Sequence, residues 1–283
     1  MTTLCIVTYC MGRLAHLKQS LGAMAAQRGC SCVLVDWSCP ERCGDWAEVS
    51  YPQVKVVRVP GKTHYSAAGA RNTAARAADA PWICFMDADV VPDPRFAGEV
   101  IPRLVTGHSV HALPQVTGTI GTYILARETF GRTPGYDEVL RFYGDEDYDM
   151  IDCLRYLGVP RASFPAALLR PIDHSNDMRV QNFPCQVLRQ GTAVNRVYRV
   201  LKWVLAAARG AFVTPDECRQ LYDELEPEVP AIMQREGLAD TGKWRWEPFA
   251  RHIAGQFERI EGRPPTDIER VQIRDGLEMR RQA

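Results

Sequence analysis

The first half of the chain alternates short apolar segments with helical segments, and this alternation limits the possible folds more than any other feature. The apolar segments have the length of buried strands, and Arg13–Arg28 repeats apolar residues at helical spacing. Repeated strand–helix–strand units predict an α/β fold with a mostly parallel sheet and helices on both faces. The predicted strands are Leu4–Thr8, Cys32–Asp36, Val54–Val59 and Trp82–Phe85, and the helices between them are Arg13–Arg28 and Ser66–Asp79.

The second half changes from mixed elements to helices alone at about residue 195. Up to that point the pattern predicts three further strands, which are Ser109–Leu113, Ile120–Ala126 and Ala167–Ile172. It also predicts one helix, Asp145–Leu157. Beyond it the pattern predicts helices Arg196–Arg209, one that starts at Thr214-Pro215-Asp216-Glu217, Glu247–Ile260 and Asp267–Arg280. We therefore predict an α/β domain over 1–195 and a helical extension over 196–283.

The charge balance bears on the class of partner. The chain has 34 Lys and Arg residues against 34 Asp and Glu residues, so a sequence-independent nucleic-acid partner is not expected. The first residues contain no basic segment followed by a sustained apolar one, and no apolar stretch is long enough to span a bilayer. We expect a soluble, cytoplasmic protein.

Ten cysteines are present, and four of them lie close together in sequence. Cys30 and Cys32 form a CxC pattern, and Cys39 and Cys43 form a CxxxC pattern. Neither spacing matches the paired CxxC of common zinc sites. Reduced thiols are the favoured interpretation, and a structural zinc ion at these four residues is the alternative.

Two carboxylates, Asp87 and Asp89, follow the apolar run Trp82–Phe85. Ligands of parallel sheets bind beyond the carboxyl ends of the strands, where Thr8 and Asp36 are also expected. Paired carboxylates there suit a divalent cation that neutralises nucleotide phosphates. The alternative is that these aspartates only cap a turn.

Arg71 lies in the predicted helix that precedes this strand. It is either a solvated surface charge or a contact to the base or diphosphate of a bound nucleotide, and the sequence favours neither.

Four acids surround the start of the helix predicted after Gly144: Asp145, Glu146, Asp147 and Asp149. Acids at a helix start complement the helix dipole, which explains one or two of them. A denser cluster favours a general base, since neighbouring like charges raise a carboxyl pKa.

His174 follows a predicted strand and is surrounded by polar residues. A single histidine is more often structural, but its imidazole would complete a carboxylate–histidine site for Mn²⁺.

The segment 196–209 carries basic residues as well as an apolar stripe. The favoured interpretation is that the apolar stripe packs on the α/β domain. The alternative is that the basic face contacts a membrane surface, which would be the inner face of the membrane. The basic residues are Arg196, Arg199, Lys202 and Arg209.

The order of the motifs over residues 3–180 resembles that of the GT-A glycosyltransferases of family 2. The later motifs of this range resemble a galactosyltransferase-like catalytic segment. The family-2 motifs are Thr8-Tyr9, Val35-Asp36, Ala70-Arg71-Asn72 and Met86-Asp87-Ala88-Asp89. The galactosyltransferase-like motifs are Gly121–Phe130, Gly135-Tyr136-Asp137-Glu138 and Tyr143–Asp147. The chain departs from this second pattern at Ile120, where the family has glycine, and at Tyr143, where it has tryptophan.

The resemblance implies a role for each candidate residue. Asp147 matches the catalytic base, and Glu146 would help to hold the acceptor. Asp87 and Asp89 match the metal motif, with Asp89 as the direct ligand and Asp87 toward the ribose or a metal-bound water, and His174 resembles the third metal ligand. The expected donor contacts are Thr8, Asp36, Arg71, Asp87 and Tyr143.

The expected activity is an inverting, metal-dependent transfer of a sugar from a nucleoside-diphosphate sugar to an acceptor hydroxyl. The expected cofactor is Mn²⁺ or Mg²⁺, and the expected donor is a UDP-hexose or UDP-N-acetylhexosamine. One alternative is a sugar-phosphate nucleotidyltransferase, although Tyr9–Arg13 is poorer in glycine than its phosphate loop. The other is a non-catalytic nucleotide-sugar-binding module whose helical tail docks a partner.

Overall fold

The computed structural model describes residues 3–115, 118–238 and 244–278. Contacts between residues divide the chain into two compact units. The first unit comprises the residues up to Glu138 together with Met150–Met178, and the second comprises Val139–Asp149 together with the residues from Arg179 onward. The predicted domain boundary at residue 195 falls inside a helix that belongs to the second unit.

The described residues of the first unit form a seven-stranded sheet and a separate pair of short strands. In chain order the strands are β1 Leu4–Cys10, β2 Cys30–Trp37, β3 Lys55–Val59, β4 Trp82–Phe85, β5 Val90–Pro92, β6 Ser109–Leu113, β7 Tyr123–Ala126, β8 Arg161–Pro165 and β9 Leu169–Pro171. The sheet order is β3-β2-β1-β4-β7-β6-β8, and β7 runs antiparallel to both of its neighbours. Strands β5 and β9 form a separate antiparallel pair.

Helices of the first unit pack on the two faces of its sheet. The helices are α1 Leu14–Ala25, α2 Cys43–Ser50, α3 Ala67–Ala77, α4 Phe96–Val100, α5 Arg127–Gly131, α6 Glu146–Tyr156, α7 Asn176–Val180, α8 Leu188–Arg209, α9 Pro215–Arg235, α10 Glu247–Glu261 and α11 Asp267–Glu278. Ile6 of β1 belongs to the same core cluster as Leu17 of α1. Side chains alternate along a strand, so Tyr9 points to the other face, where Arg71 of α3 lies over its ring. The predicted α/β class with a mostly parallel sheet is confirmed.

Several element boundaries differ from the predicted ones. β1 continues to Cys10, two residues beyond the predicted end, and α8 starts at Leu188 rather than at Arg196. The predicted strand Ala167–Ile172 is a 3₁₀ turn followed by the short β9. The sequence analysis missed β8, whose five residues are mostly not buried, because it lacks a continuous apolar pattern. The last two residues of the predicted helix Asp267–Arg280 lie outside the described residues.

The second unit contains the long helices α8 to α11. The apolar stripe of α8 packs against α9, α10 and α11 of its own unit, whereas the prediction placed it on the α/β domain. Its basic face is not a free charged surface, because Arg199 and Lys202 are buried and pair with Asp145 and Asp149. Arg209 is paired with Glu217 and with Glu261. The two buried cations therefore add no exposed charge to this face, whereas Arg209 is exposed.

The described part of the chain was also searched for helices that could cross a membrane. None of them combines sufficient length with sufficient apolar character.

The predicted start of α9 is confirmed and provides a test of local stability. Glu217 donates its backbone N–H to the Thr214 hydroxyl, and its carboxylate accepts from the Thr214 backbone, which forms a capping box. We expect Thr214→Ala to lower the free energy of unfolding by about 1 kcal/mol. Urea unfolding followed by circular dichroism measures this loss, and the exposed Thr63→Ala serves as the control. An equal effect of the two substitutions would contradict the capping role.

Candidate functional site

Asp87, which follows β4, is held by two residues that lie far from it in sequence. Its Oδ1 atom accepts a hydrogen bond from the Tyr9 hydroxyl at 2.7 Å and another from Arg71 Nη2 at 2.9 Å. Arg71 is 2% exposed, and its guanidinium group lies 4.7 Å from the ring centre of Tyr9. The interpretation of Arg71 as a solvated surface charge is therefore wrong. Its contact with a bound nucleotide stays a prediction.

Asp89 forms a second polar centre together with His174 and Arg13. Its Oδ2 atom lies 2.9 Å from His174 Nε2 and 3.4 Å from Arg13 Nη1. Burial disfavours ionisation of Asp89, but the hydrogen bond from His174 and the charge of Arg13 outweigh it, so the pKa is lowered. Asp89 is therefore an anion at neutral pH, as a metal ligand must be.

The donor atoms around Asp89 fit a hard divalent cation. Two neighbouring ligands of an octahedral ion at about 2.1 Å lie about 3 Å apart, which matches the Asp89–His174 spacing of 2.9 Å. A cation bound there would replace the proton of the hydrogen bond between these two atoms. Asp87 does not join Asp89 and His174 in a three-ligand group. This geometry favours Asp89 and His174 as direct ligands.

The two other residues predicted at this edge of the sheet are Thr8 and Asp36. Asp36 is 8% exposed, and its carboxylate accepts from the backbone N–H groups of Cys39 at 2.8 Å and Gly44 at 3.0 Å. A Cβ atom on Gly44 would lie 2.6 Å from Asp36 Oδ2, so glycine permits this close approach. Thr8 is completely buried inside β1, which argues against direct contact with a ligand.

The acidic cluster at the start of α6 divides into structural and candidate catalytic members. Asp145 accepts a hydrogen bond from Arg199 Nε at 2.9 Å, and Asp149 accepts one from Trp203 Nε1 at 2.8 Å. Both carboxylates are buried within the second unit, where Arg199 and Lys202 compensate their charges. The pairs assign Asp145 and Asp149 to the folding of this unit, whereas Glu146 and Asp147 are the pair that the family resemblance selects.

Helix α8 also fixes the backbone that leads into α6. The buried Asn195 donates to the carbonyl oxygens of Phe142 at 3.0 Å and Gly144 at 2.6 Å. Asp145 has a φ of 69°, a left-handed conformation that is unusual for a residue other than glycine. Such strain persists only where surrounding contacts impose it, and here Asn195 and Arg199 supply them.

Tyr143, a predicted donor contact, also belongs to the second unit. Its hydroxyl accepts a hydrogen bond from Arg179 Nη1 at 2.7 Å, and its ring meets the edge of Phe183. Both contacts fix the side chain in place. Its contact with the donor stays a prediction.

Sequence reasoning missed the residues that hold these groups. Tyr9 and Arg13 contact the two aspartates, and Asn195 holds the start of α6. The position of Tyr9 near a strand end was the one available signal. No local pattern predicts the contacts of Arg13 and Asn195, because each contact joins segments that are distant in the chain.

The buried Arg71 provides a second test of stability. We expect Arg71→Met to lower the free energy of unfolding by about 1.5–3 kcal/mol, because Asp87 loses a charged hydrogen-bond partner and is itself only partly exposed. Urea unfolding measures the loss. Arg76→Met on the exposed side of the same helix is the matched control, for which a change within about 0.5 kcal/mol is expected. A similarly small change for Arg71→Met would show that the pair does not stabilise the fold.

The family follows from a match between this chain and a family model. Residues 5–160 match the model for glycosyl transferase family 2, which is more than half of the chain. The chain therefore belongs to glycosyl transferase family 2, and it is a glycosyltransferase. No curated protein matches the sequence.

Several solved structures share the fold of this chain. One is the mannosyltransferase PcManGT from Pyrobaculum calidifontis in complex with GDP-Man and Mn²⁺, at a TM-score of 0.52 and 15% identity over 96% of this chain and 83% of that one. Another is TarS from S. aureus, at a TM-score of 0.59 and 12% identity over 97% of this chain and 52% of that one. TarS 1–349 gives a TM-score of 0.55 at 12% identity and covers 99% of this chain and 91% of that one. At these identities the likeness shows the fold alone, which is GT-A.

Proposed function

We propose that this glycosyltransferase is inverting and metal-dependent, and that it transfers a sugar from a nucleoside-diphosphate sugar to an acceptor hydroxyl. The observation that carries the proposal is the Asp89–His174 pair, whose 2.9 Å spacing and carboxylate–imidazole chemistry suit Mn²⁺. A bound cation would stabilise the negative charge that develops on the leaving diphosphate.

The family resemblance supports a role for each residue of the chain in this reaction. Asp147 accepts the proton of the acceptor hydroxyl, and the hydroxyl oxygen attacks the anomeric carbon from the face opposite the diphosphate. The bond to the nucleoside diphosphate breaks as the new glycosidic bond forms, so the anomeric configuration inverts. Glu146 holds the acceptor, and the donor contacts are Asp36, Arg71, Asp87 and Tyr143. For Thr8, its complete burial leaves an indirect role through β1.

The donor base is proposed as uridine, and guanosine is the alternative. The motifs at Asp36 and at Asp87–Asp89 support a UDP-linked donor through the family resemblance. The mannosyltransferase with the same fold was solved with GDP-Man, which is the specific observation in favour of a guanosine donor.

The reaction is tested with the full chain against UDP-, GDP- and dTDP-sugars, with and without Mn²⁺. We expect Mn²⁺-dependent binding of one nucleoside diphosphate, measured by calorimetry, and slow hydrolysis of the matching sugar donor. With water as the acceptor, NMR should show the product first in the inverted anomeric configuration.

Four results would contradict the proposal, each in a different way. Binding that is unchanged by a chelator would refute metal dependence, and a product of retained configuration would refute the inverting mechanism. Binding without any hydrolysis or transfer would favour the non-catalytic module. Formation of a nucleotide sugar from a sugar phosphate and a nucleoside triphosphate would instead show a nucleotidyltransferase.

A further inference from the structure

Three cysteines from separate segments meet beside the proposed donor site. Cys10 is the last residue of β1, Cys39 follows β2, and Cys43 is the first residue of α2. Their sulfur atoms all lie within 4.8 Å of one another, and all three residues are buried. We call this group the thiol cluster. It differs from the four-cysteine set of the zinc alternative, because Cys10 takes the place of Cys30 and Cys32.

We propose that the thiol cluster binds a thiophilic metal ion, with Zn²⁺ as the preferred ion. Three sulfur ligands select Zn²⁺ or Cu⁺ over Mn²⁺ and Mg²⁺, which prefer oxygen. This site is therefore chemically distinct from the Asp89–His174 pair. Three protein ligands leave one position of a tetrahedral zinc ion to solvent, as in other three-ligand zinc sites.

The surroundings of Cys39 favour a bound metal over ordinary buried thiols. Its sulfur accepts a hydrogen bond from the backbone N–H of Gly12 at 3.3 Å, an interaction that stabilises a thiolate. A small hydrophobic side chain would need no such donor. None of the described cysteines forms a disulfide. A disulfide between two cysteines of the thiol cluster would not include the third.

The segment that leads from β2 through Cys39 into α2 is strained in a way that a metal would explain. Ser38 and Arg42 have φ values of 49° and 54°, in the left-handed region that residues other than glycine rarely adopt. Strained residues persist where the surrounding structure fixes both ends of the segment. A metal ion that joins Cys39 and Cys43 to the end of β1 would fix this loop.

The site would also control the position of Asp36. The two backbone N–H groups that Asp36 accepts from belong to Cys39 and to Gly44, the neighbour of Cys43. Cys10 and Asp36 are paired in the register of β1 and β2. Metal binding at the thiol cluster should therefore rigidify the loop that holds Asp36, and loss of the metal should loosen it.

The test uses the reduced full chain after treatment with a chelator. Zn²⁺ is titrated against a chromophoric chelator, and Cd²⁺ is added separately to detect sulfur-to-metal charge transfer in the ultraviolet. We expect one zinc ion per chain, a charge-transfer band with Cd²⁺ and a higher melting temperature with Zn²⁺. Cys39→Ser should weaken zinc binding at least about 100-fold, since even residues that only support a ligand contribute 10–100-fold.

Two control variants separate the thiol cluster from other sites. Cys32→Ser removes a buried thiol of β2 outside the cluster, and Asp89→Asn removes a ligand of the other proposed metal site. Both should keep the charge-transfer band. The proposal is overturned if the reduced wild-type chain shows no band, or if Cys39→Ser binds Zn²⁺ as tightly as the wild type. Because the wild-type titration alone can refute it, the test does not depend on the folding of a variant.

Discussion

Asp89→Ala should abolish Mn²⁺-dependent nucleotide binding, with a loss of affinity of at least about 100-fold. The substitution removes the carboxylate that lies 2.9 Å from His174 and 3.4 Å from Arg13. Without it, an imidazole beside a positive guanidinium group is a poor site for a cation, because the local charge becomes unfavourable. Calorimetric titration of the nucleoside diphosphate, with and without Mn²⁺, measures the effect.

Two further variants show whether this loss is specific. Asp89→Asn keeps the shape of the side chain but not its charge, and it should also lose Mn²⁺-dependent binding. Asp93 lies shortly after it in the chain, and its carboxylate pairs with the exposed Arg95, so Asp93→Asn should leave binding unchanged. Nucleotide affinity within twofold of the wild type in both Asp89 variants would refute the metal site.

Asp147→Asn should lower kcat by a factor of about 10²–10⁴ and leave donor binding intact. The amide cannot accept the proton of the acceptor hydroxyl, so the attacking oxygen loses its general base. Each factor of ten corresponds to about 1.4 kcal/mol of activation free energy. Single-turnover transfer, once an acceptor is found, measures the chemical step, and calorimetry measures the donor affinity separately.

A matched control is available on the same helix. Asp152 of α6 forms an ion pair with Arg155 one turn further along, and Asp152→Asn should leave kcat within about twofold of the wild type. Near-normal turnover in Asp147→Asn would refute its role as the base. A parallel loss of donor affinity would instead indicate that Asp147 contributes to donor binding.

The strand before Asp87 and Asp89 could be predicted from the sequence. The run Trp82–Phe85 was predicted as a strand because four consecutive apolar residues before two aspartates form a local pattern, and β4 has these bounds. The same reasoning could not rank the two interpretations of Arg71. Its burial depends on the packing of α3 against β1, which no property of the helix alone reports.

The acidic cluster shows the opposite case. Four acids near a helix start looked equivalent in the sequence, and local electrostatics could assign none of them. The structure separates them through α8, where Arg199 and Lys202 pair with Asp145 and Asp149. Those two cations lie on the basic face whose contact with a membrane was the less favoured alternative, because helical spacing predicts a common face but not what covers it.

The sequence by itself determined strands β1 to β4 with helices α1 and α3, the placement of Asp87 and Asp89 after β4, and the helical character of the last third. These features are encoded by neighbouring residues through side-chain periodicity, capping and strand length. Only the tertiary structure decided which distant groups meet: Asp89 with His174, Arg71 with Asp87, and Cys10 with Cys39 and Cys43. Such contacts depend on strand order and on the path of each loop, and these are settled by packing of the whole sheet rather than by any local pattern.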